Sequence, residues 1–446
     1  MRSFYVFFLI ISLLPVVLWK PHVGVLVWSW ISYMNPHRLT YGFAYDFNFL
    51  DFVAACTLLA AFLTTEPKRL PRHPLVWLIA IYYLWTGLTT LTAPDISVAS
   101  GKWINFSKVI LFTFITLIFM QSKNRLIALI WVLMLSMGFF ALKGGVFTIL
   151  TGGSERVWGP PKTFISSNNE FAMAVLMAIP LVYFLSTTVT SKYLKWALLL
   201  AIPIGFMSIF GTQSRGGLVG IVCVLLFLAW QAKRLMLGLI VMGFVGVVAF
   251  LFMPDSWRDR MATIENYEED ASAQGRLDMW AYAIDVANDR PIVGGGFDIF
   301  YNNYYRFLYL PEGVRGRAAH SAYFEVLGEH GYVGLTLFLL MGITAFFTCG
   351  AIIQRSRARE ELAWAGTLAK CVRVGLVGFA TSGAFLTCAT FDFLYHLLAI
   401  TAILRILLER ELAKEAAPGS AAEPQKTKWA PANWTSRPSG RTSGQS

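Results

Sequence analysis

Residues 126–150 read LIALIWVLMLSMGFFALKGGVFTIL, with Lys143 as the one charge. At about 1.5 Å per residue, a helix of this length spans the roughly 30 Å hydrocarbon core of a bilayer. A segment apolar on every side belongs in lipid rather than on the face of a soluble domain. Similar runs recur at 4–34, 48–64, 75–93, 104–121, 168–188, 196–211, 217–231, 235–253, 332–353, 371–388 and 391–409. The expected fold is an all-α, polytopic integral membrane protein of about 12 transmembrane helices. The first run is too long for one straight helix and Lys20-Pro21 interrupts it, so a broken or re-entrant element crossing once is expected.

Composition agrees. Apolar residues make up 56% of the 446-residue chain and charged residues only 14%. Soluble domains carry roughly 25% charge, so an ordinary soluble enzyme is excluded. The formal charge of +11 would suit nucleic acid were it not distributed by loop. One alternating set of connections holds Arg2, Lys68, Arg69, Arg72, Lys123, Arg125, Lys192, Lys195, Lys233, Arg234, Arg355, Arg357, Arg359, Lys370 and Arg373. The opposite short loops hold only Arg38, Lys102, Arg156, Lys162 and Arg215. The positive-inside asymmetry places the first set and both termini in the cytoplasm. The surplus then meets anionic lipid, and no nucleic-acid partner is expected. Cys56, Cys223, Cys349, Cys371 and Cys388 lie in or beside apolar runs without a CxxC pair, so neither a disulfide framework nor a metal knuckle is expected. Met1-Arg2 and the run behind it resemble a signal peptide, but no small-residue cleavage site follows, and a retained first span is expected.

Five regions follow: N-terminal spans (1–150), spans with arginine-bearing outer loops (151–253), a large periplasmic loop (254–331), C-terminal spans (332–410) and a disordered tail (411–446) rich in Ala, Pro, Ser, Thr and Gly. In the large loop, 278–289 has helical spacing, with Met279, Ala283, Val286 and Ala287 on one side and Pro291 as its stop. The run Gly294-Gly295-Gly296 forces a turn, and no GK[ST] makes it a phosphate loop.

This loop has seven arginines (258, 260, 276, 290, 306, 315, 317) and no lysine, against 13 acidic residues. The guanidinium fork matches phosphate oxygens in pairs, which points to a phosphate or diphosphate ligand. Arg258, Arg260 and Arg290 stand close to aspartates and are read as loop ion pairs. Arg276 follows Gln274-Gly275 ahead of the expected helix, and Arg215 sits at the outer end of a span in TQSRGG, beside Gln213 and Ser214. An arginine at membrane depth is costly unless paired or functional. His320 is the best general-base candidate, since histidine titrates near neutrality. Secondary candidates for ligand contact are Arg156, Lys162, Gln213, Ser214, Asn169 and His330. Asn168, Asn169 and Glu170 also suit the start of a helix as capping residues. Tyr301, Tyr304, Tyr305, Phe307 and Tyr309 suit a headgroup-level belt or sugar faces. No metal-ligand spacing occurs, and no metal or other cofactor is expected.

The string HSAYFEVLGEHG (320–331) resembles the His-[Asn/Ser/Gln]-x9-Gly signature of bacterial O-antigen ligases. Arg215 in SRGG, Arg276 in QGRLDMW, and PIVGGGF resemble other landmarks of the wider ligase and polymerase superfamily. WGPPKTFISSNNEFA resembles its Gly-Pro…Asn loop, with Ser-Asn-Asn in place of the usual Asp-Pro-Asn. The N-terminal region, including SYMNPHRLTYGFAYDF, resembles O-glycosylation ligases associated with exosortase systems. The resemblance implies a metal- and ATP-independent inner-membrane glycosyltransferase. It would move a glycan from undecaprenyl diphosphate to a hydroxyl of lipid A–core on the periplasmic side, with Arg215 and Arg276 on the diphosphate and His320 as base. A Wzy-type polymerase and a protein O-glycosylation ligase would share that donor. A lipid-linked sugar transporter is the more remote alternative, and no internal repeat supports it.

Overall fold

A computed structural model describes residues 2–234, 236, 238–240, 242–243, 246–247, 271–310 and 316–416. The expected span at 235–253 falls largely outside these residues. So do 254–270 with Arg258 and Arg260, Arg315, and the tail from 417. The described residues form helices and no strand.

The N-terminal helices are α1 (Arg2–Trp19), α2 (Pro21–Met34), α3 (Phe49–Leu63), α4 (Pro74–Leu91), α5 (Ile96–Phe119) and α6 (Lys123–Leu150). Then come α7 (Asn168–Thr188), α8 (Lys192–Gly211) and α9 (Arg215–Gln231). The large loop contributes α10 (Ala271–Asp289) and α11 (Asn303–Tyr309). Last are α12 (Ala322–Ser356), α13 (Ala363–Ser382) and α14 (Asp392–Ala416). Eight helices among the described residues are long and apolar enough to cross a membrane, and α3 and α9 are shorter apolar helices. The chain is a polytopic, all-helical membrane protein.

The break between α1 and α2 falls at Lys20-Pro21 as expected, because Pro21 has no N–H to continue the ladder. Polar caps set other starts: Asp95 accepts from Ser97 N and Val98 N at α5, and Ser214 accepts from Gly217 N at α9. The central helices are α7 and α13, packed on each other, with α8 and α6 against α7 and with α9 and α12 against α13. α6 and α8 approach closely because Gly145 has no side chain: a Cβ there would overlap the Ile204 carbonyl. α2 is tied to α14 by Ser32 donating to Asp392 and by Tyr33 OH against His396 Nδ1 at 3.0 Å.

α10 confirms the expected amphipathic helix but begins earlier, so Arg276 lies within it rather than ahead of it. Its apolar side is buried as read: Met279, Ala283, Val286 and Ala287 are at most 1% exposed. Met279, Ala283 and Val286 join Tyr282, Ile299, Phe300, Tyr305 and Ala319 in a core for the loop. Tyr305 is thus a core residue, while Phe307 is exposed.

Residues 322–330, at the end of the expected loop region, are helical: they form the first part of α12, which breaks at Gly331 (φ 67, ψ −171), next to the expected boundary. Their buried face packs with α4 and α5. Past Leu408, α14 continues to Ala416, so 411–416 are helical rather than tail.

Candidate functional site

His320 sits just before α12 in left-handed backbone (φ 47), half-buried. Such backbone is uncommon outside glycine and tends to occur where surrounding structure enforces it. Here the enforcing contacts are on both sides. The His320 amide donates to Thr387 Oγ1 at 2.9 Å, and the preceding Ala319 carbonyl accepts from Trp280 Nε1 at 2.9 Å. Trp280 in turn stacks on Phe324, with ring centroids 4.8 Å apart. Ser321, at the helix N-cap, has a buried hydroxyl with no hydrogen-bond partner.

Burial lowers the His320 pKa, and the nearby guanidinium groups of Arg276 and Arg317 lower it further. Two of the three residues expected to carry chemistry, His320 and Arg276, are thus brought together. Arg317 joins them: it lies over Gly275, where an added Cβ would come 3.1 Å from its guanidinium. The sequence showed Arg317 only as one of seven loop arginines, without a motif around it.

The third residue, Arg215, opens α9. Its neighbour Gly216 faces the turn at the end of α13, where a Cβ would meet Phe385 Cβ at 3.6 Å. That turn leads directly to Thr387, so Arg215 and His320 flank one short segment. Ser214 is buried and caps α9, and Gln213, also left-handed (φ 53), donates to Gly153 O at 3.2 Å.

The 156–168 loop lies across the same end. Val157 N donates to Gly211 O at 2.8 Å, and Asn168 Nδ2 to Thr212 O at 2.9 Å. Asn168 thus ties two loops rather than capping its helix, and Asn169 beside it is half-buried. Phe164 stacks on Phe391, with centroids 4.8 Å apart. Arg156 lies over Trp158, and Lys162 (φ 58) over Tyr45, 3.7 Å from Asp46. Arg38 also pairs with Asp46, and these cations hold the Asp46 carboxyl below its usual range.

Two expectations change. His330 is 0% exposed. Its Nδ1 meets Thr89 Oγ1 at 2.7 Å, and its ring stands edge-on to Tyr82 and Phe297. It is part of the packing between α4 and α12, with no surface to offer a ligand. Arg290, read as pairing with a neighbouring aspartate, instead donates to Tyr305 OH at 2.6 Å and to Thr92 O at 2.7 Å, clamping the loop onto the end of α4.

The sequence did not reveal a buried charge cluster. Lys102, counted above as a short-loop cation, projects from α5 to Glu325 at 2.9 Å, Glu329 at 2.7 Å and Asp298 at 3.7 Å. Both glutamates are 2% exposed. The spacing of Glu325 and Glu329, one helical turn apart on the same face, was the available signal.

Below Tyr323, an apolar cleft of about 380 Å³ runs between α12, α13 and α14, lined by Phe338, Phe346, Phe379, Leu394 and Leu398 among others. Residues 196–339 match the family model described as O-antigen ligase. Residues 1–191 match a second, described as a family of unknown function. No curated protein matches the chain.

Proposed function

We propose that the chain, whose residues 196–339 match the O-antigen ligase family model, is an O-antigen ligase. In this reading it transfers a glycan from undecaprenyl diphosphate to a hydroxyl of lipid A–core at the periplasmic face of the inner membrane. The observation that carries the reading is His320: a half-buried imidazole held by its own backbone, beside two arginines, at one end of a helical bundle.

The chemistry follows from those groups. The acceptor oxygen attacks the anomeric carbon as His320 takes the hydroxyl proton. The bond from that carbon to the diphosphate oxygen breaks, and its electron pair leaves with undecaprenyl diphosphate. Arg215 and Arg276 hold that charge as it grows, and stabilisation that is stronger in the transition state is what lowers the barrier. Arg156, Lys162, Gln213 and Asn169 border the same end and are the secondary contacts to donor or acceptor, while Ser214 is buried as the cap of α9. A single displacement inverts the anomeric centre. No metal enters the scheme, because guanidinium groups supply the countercharge. The prenyl chain has a route sideways along the apolar cleft below Tyr323.

The second reading is a protein O-glycosylation ligase, favoured by the N-terminal resemblance. A Wzy-type polymerase uses the same donor side. The test is transfer by purified enzyme from undecaprenyl-diphosphate glycan, with lipid A–core, a Ser/Thr/Tyr peptide and a second lipid-linked glycan as separate acceptors. Product on lipid A–core alone is expected. Product only on peptide or on lipid-linked glycan replaces the acceptor, and full transfer by His320→Ala removes the base.

A further inference from the structure

The cluster around Lys102 has no place in the chemistry above, yet it is built at considerable cost. Three carboxylates and one ammonium are gathered where charge is expensive to bury, and each of the two glutamates ties Lys102 to a further segment. Glu325 Oε1 accepts from Lys102, and Glu325 Oε2 accepts from Ala389 N at 3.0 Å. Ala389 belongs to the segment whose Thr387 receives the His320 amide. Glu329 Oε1 accepts from Lys102 and also from Asp298 N at 2.9 Å, just beyond the glycine turn. That turn is sealed by Gly295 N to Gly328 O and Gly296 N to Glu329 O, both 2.8 Å.

Lys102 therefore joins Glu325, nearer the start of 322–330, and Glu329, near its end, through one ammonium. At one end it fixes the 387–389 segment that sets the His320 backbone. At the other it fixes the turn that follows α10, the helix carrying Arg276. We propose that Lys102, acting through Glu325 and Glu329, is a positioning residue that sets the place of His320 relative to Arg276. This rests on the reading of His320 as the base.

A shift of about 1 Å in a reacting group can cost on the order of 100-fold in rate. In full-length purified enzyme, Lys102→Met is expected to lower kcat at least about tenfold while the KM for the lipid-linked donor stays near wild type. Lys102→Arg, which keeps a cation within reach of both glutamates, is expected to recover most of the loss. A purely structural lysine would instead lower the yield of folded enzyme and leave the kcat of the folded fraction unchanged. Because Lys102→Met can fail to fold, Thr387→Val is measured beside it. It removes the acceptor for the His320 amide without touching the charges, and a fall in kcat at constant KM is again expected, with Thr387→Ser retaining activity. Wild-type kcat in folded Lys102→Met overturns the proposal, as does wild-type kcat in Thr387→Val where Lys102→Met does not fold. His320→Ala separates the two failures. If it is inactive while these variants are not, only the positioning role falls; if it is active, the base assignment falls first.

Discussion

His320 and His330 stand at the two ends of one short helix and share little else. His320 is half-buried, in left-handed backbone, with Arg276 and Arg317 beside it. His330 is fully buried, paired with Thr89 and walled by aromatic rings. The difference lies in what each end meets. The first ends against polar turns from α13 and the large loop. The second ends at Gly331, where two backbone segments press together. On the proposed reading, a titratable side chain at the first exchanges protons with a ligand. At the second it fills space and completes a hydrogen bond.

The comparison breaks most sharply in activity. His320→Ala is expected to reduce transfer by about 100- to 10,000-fold, the usual worth of a positioned base, with the melting temperature in detergent near wild type. His330→Leu is expected to do the reverse. It should lower stability by about 1–3 kcal/mol through the lost buried hydrogen bond and leave the turnover of the folded fraction near wild type. If His330→Leu abolishes turnover in folded protein, the two ends are not functionally distinct. Arg276→Lys follows in size. It keeps the charge but loses the fork, and turnover should fall about 100-fold, in line with loss of one transition-state donor. Unchanged donor KM and turnover would remove the bidentate contact.

Gly331→Ala probes the closed end directly. The backbone there (φ 67, ψ −171) is accessible to glycine alone, and a Cβ would come 2.6 Å from Ile292 O and 2.7 Å from Pro291 O. A loss of about 1–3 kcal/mol from the strained backbone is expected, with further loss from the clash, read as a lower melting temperature. An unshifted melting temperature would mean that the turn against 328–331 is looser than its hydrogen bonds indicate.

These ends also show how far the sequence can be read. The helices were legible because lipid imposes long apolar runs, and the buried side of α10 was legible from its spacing. His320, Arg215 and Arg276 stood out as polar residues without a packing excuse. Gly331 was visible as a motif glycine, but its purpose depends on 291–296 arriving beside it, a contact between distant segments. Lys102 was misleading for a related reason. Counted by location it is an outer-loop cation, yet its two glutamate partners lie more than 200 positions away. His330 failed because burial of a polar ring is decided by neighbours on other helices, which no local pattern records.

The smallest effect is in pH dependence, and it isolates Arg317. On the proposed reading His320 acts as a base, and only when neutral, so activity should fall as pH drops through its pKa. Burial, Arg276 and Arg317 all lower that pKa, which puts the acid limb of kcat/KM below the value of about 6.5 for an unperturbed histidine. Arg317 is exposed, so solvent screens its charge and its share is small. Arg317→Gln should therefore move the acid limb slightly upward, the direction expected on removing one screened positive charge. Arg317→Lys should leave the limb in place. His330→Leu, remote from these arginines, should leave it in place too. A limb that stays fixed in Arg317→Gln but shifts in His330→Leu would assign the titrating group to the closed end of the helix and reverse the roles of the two histidines.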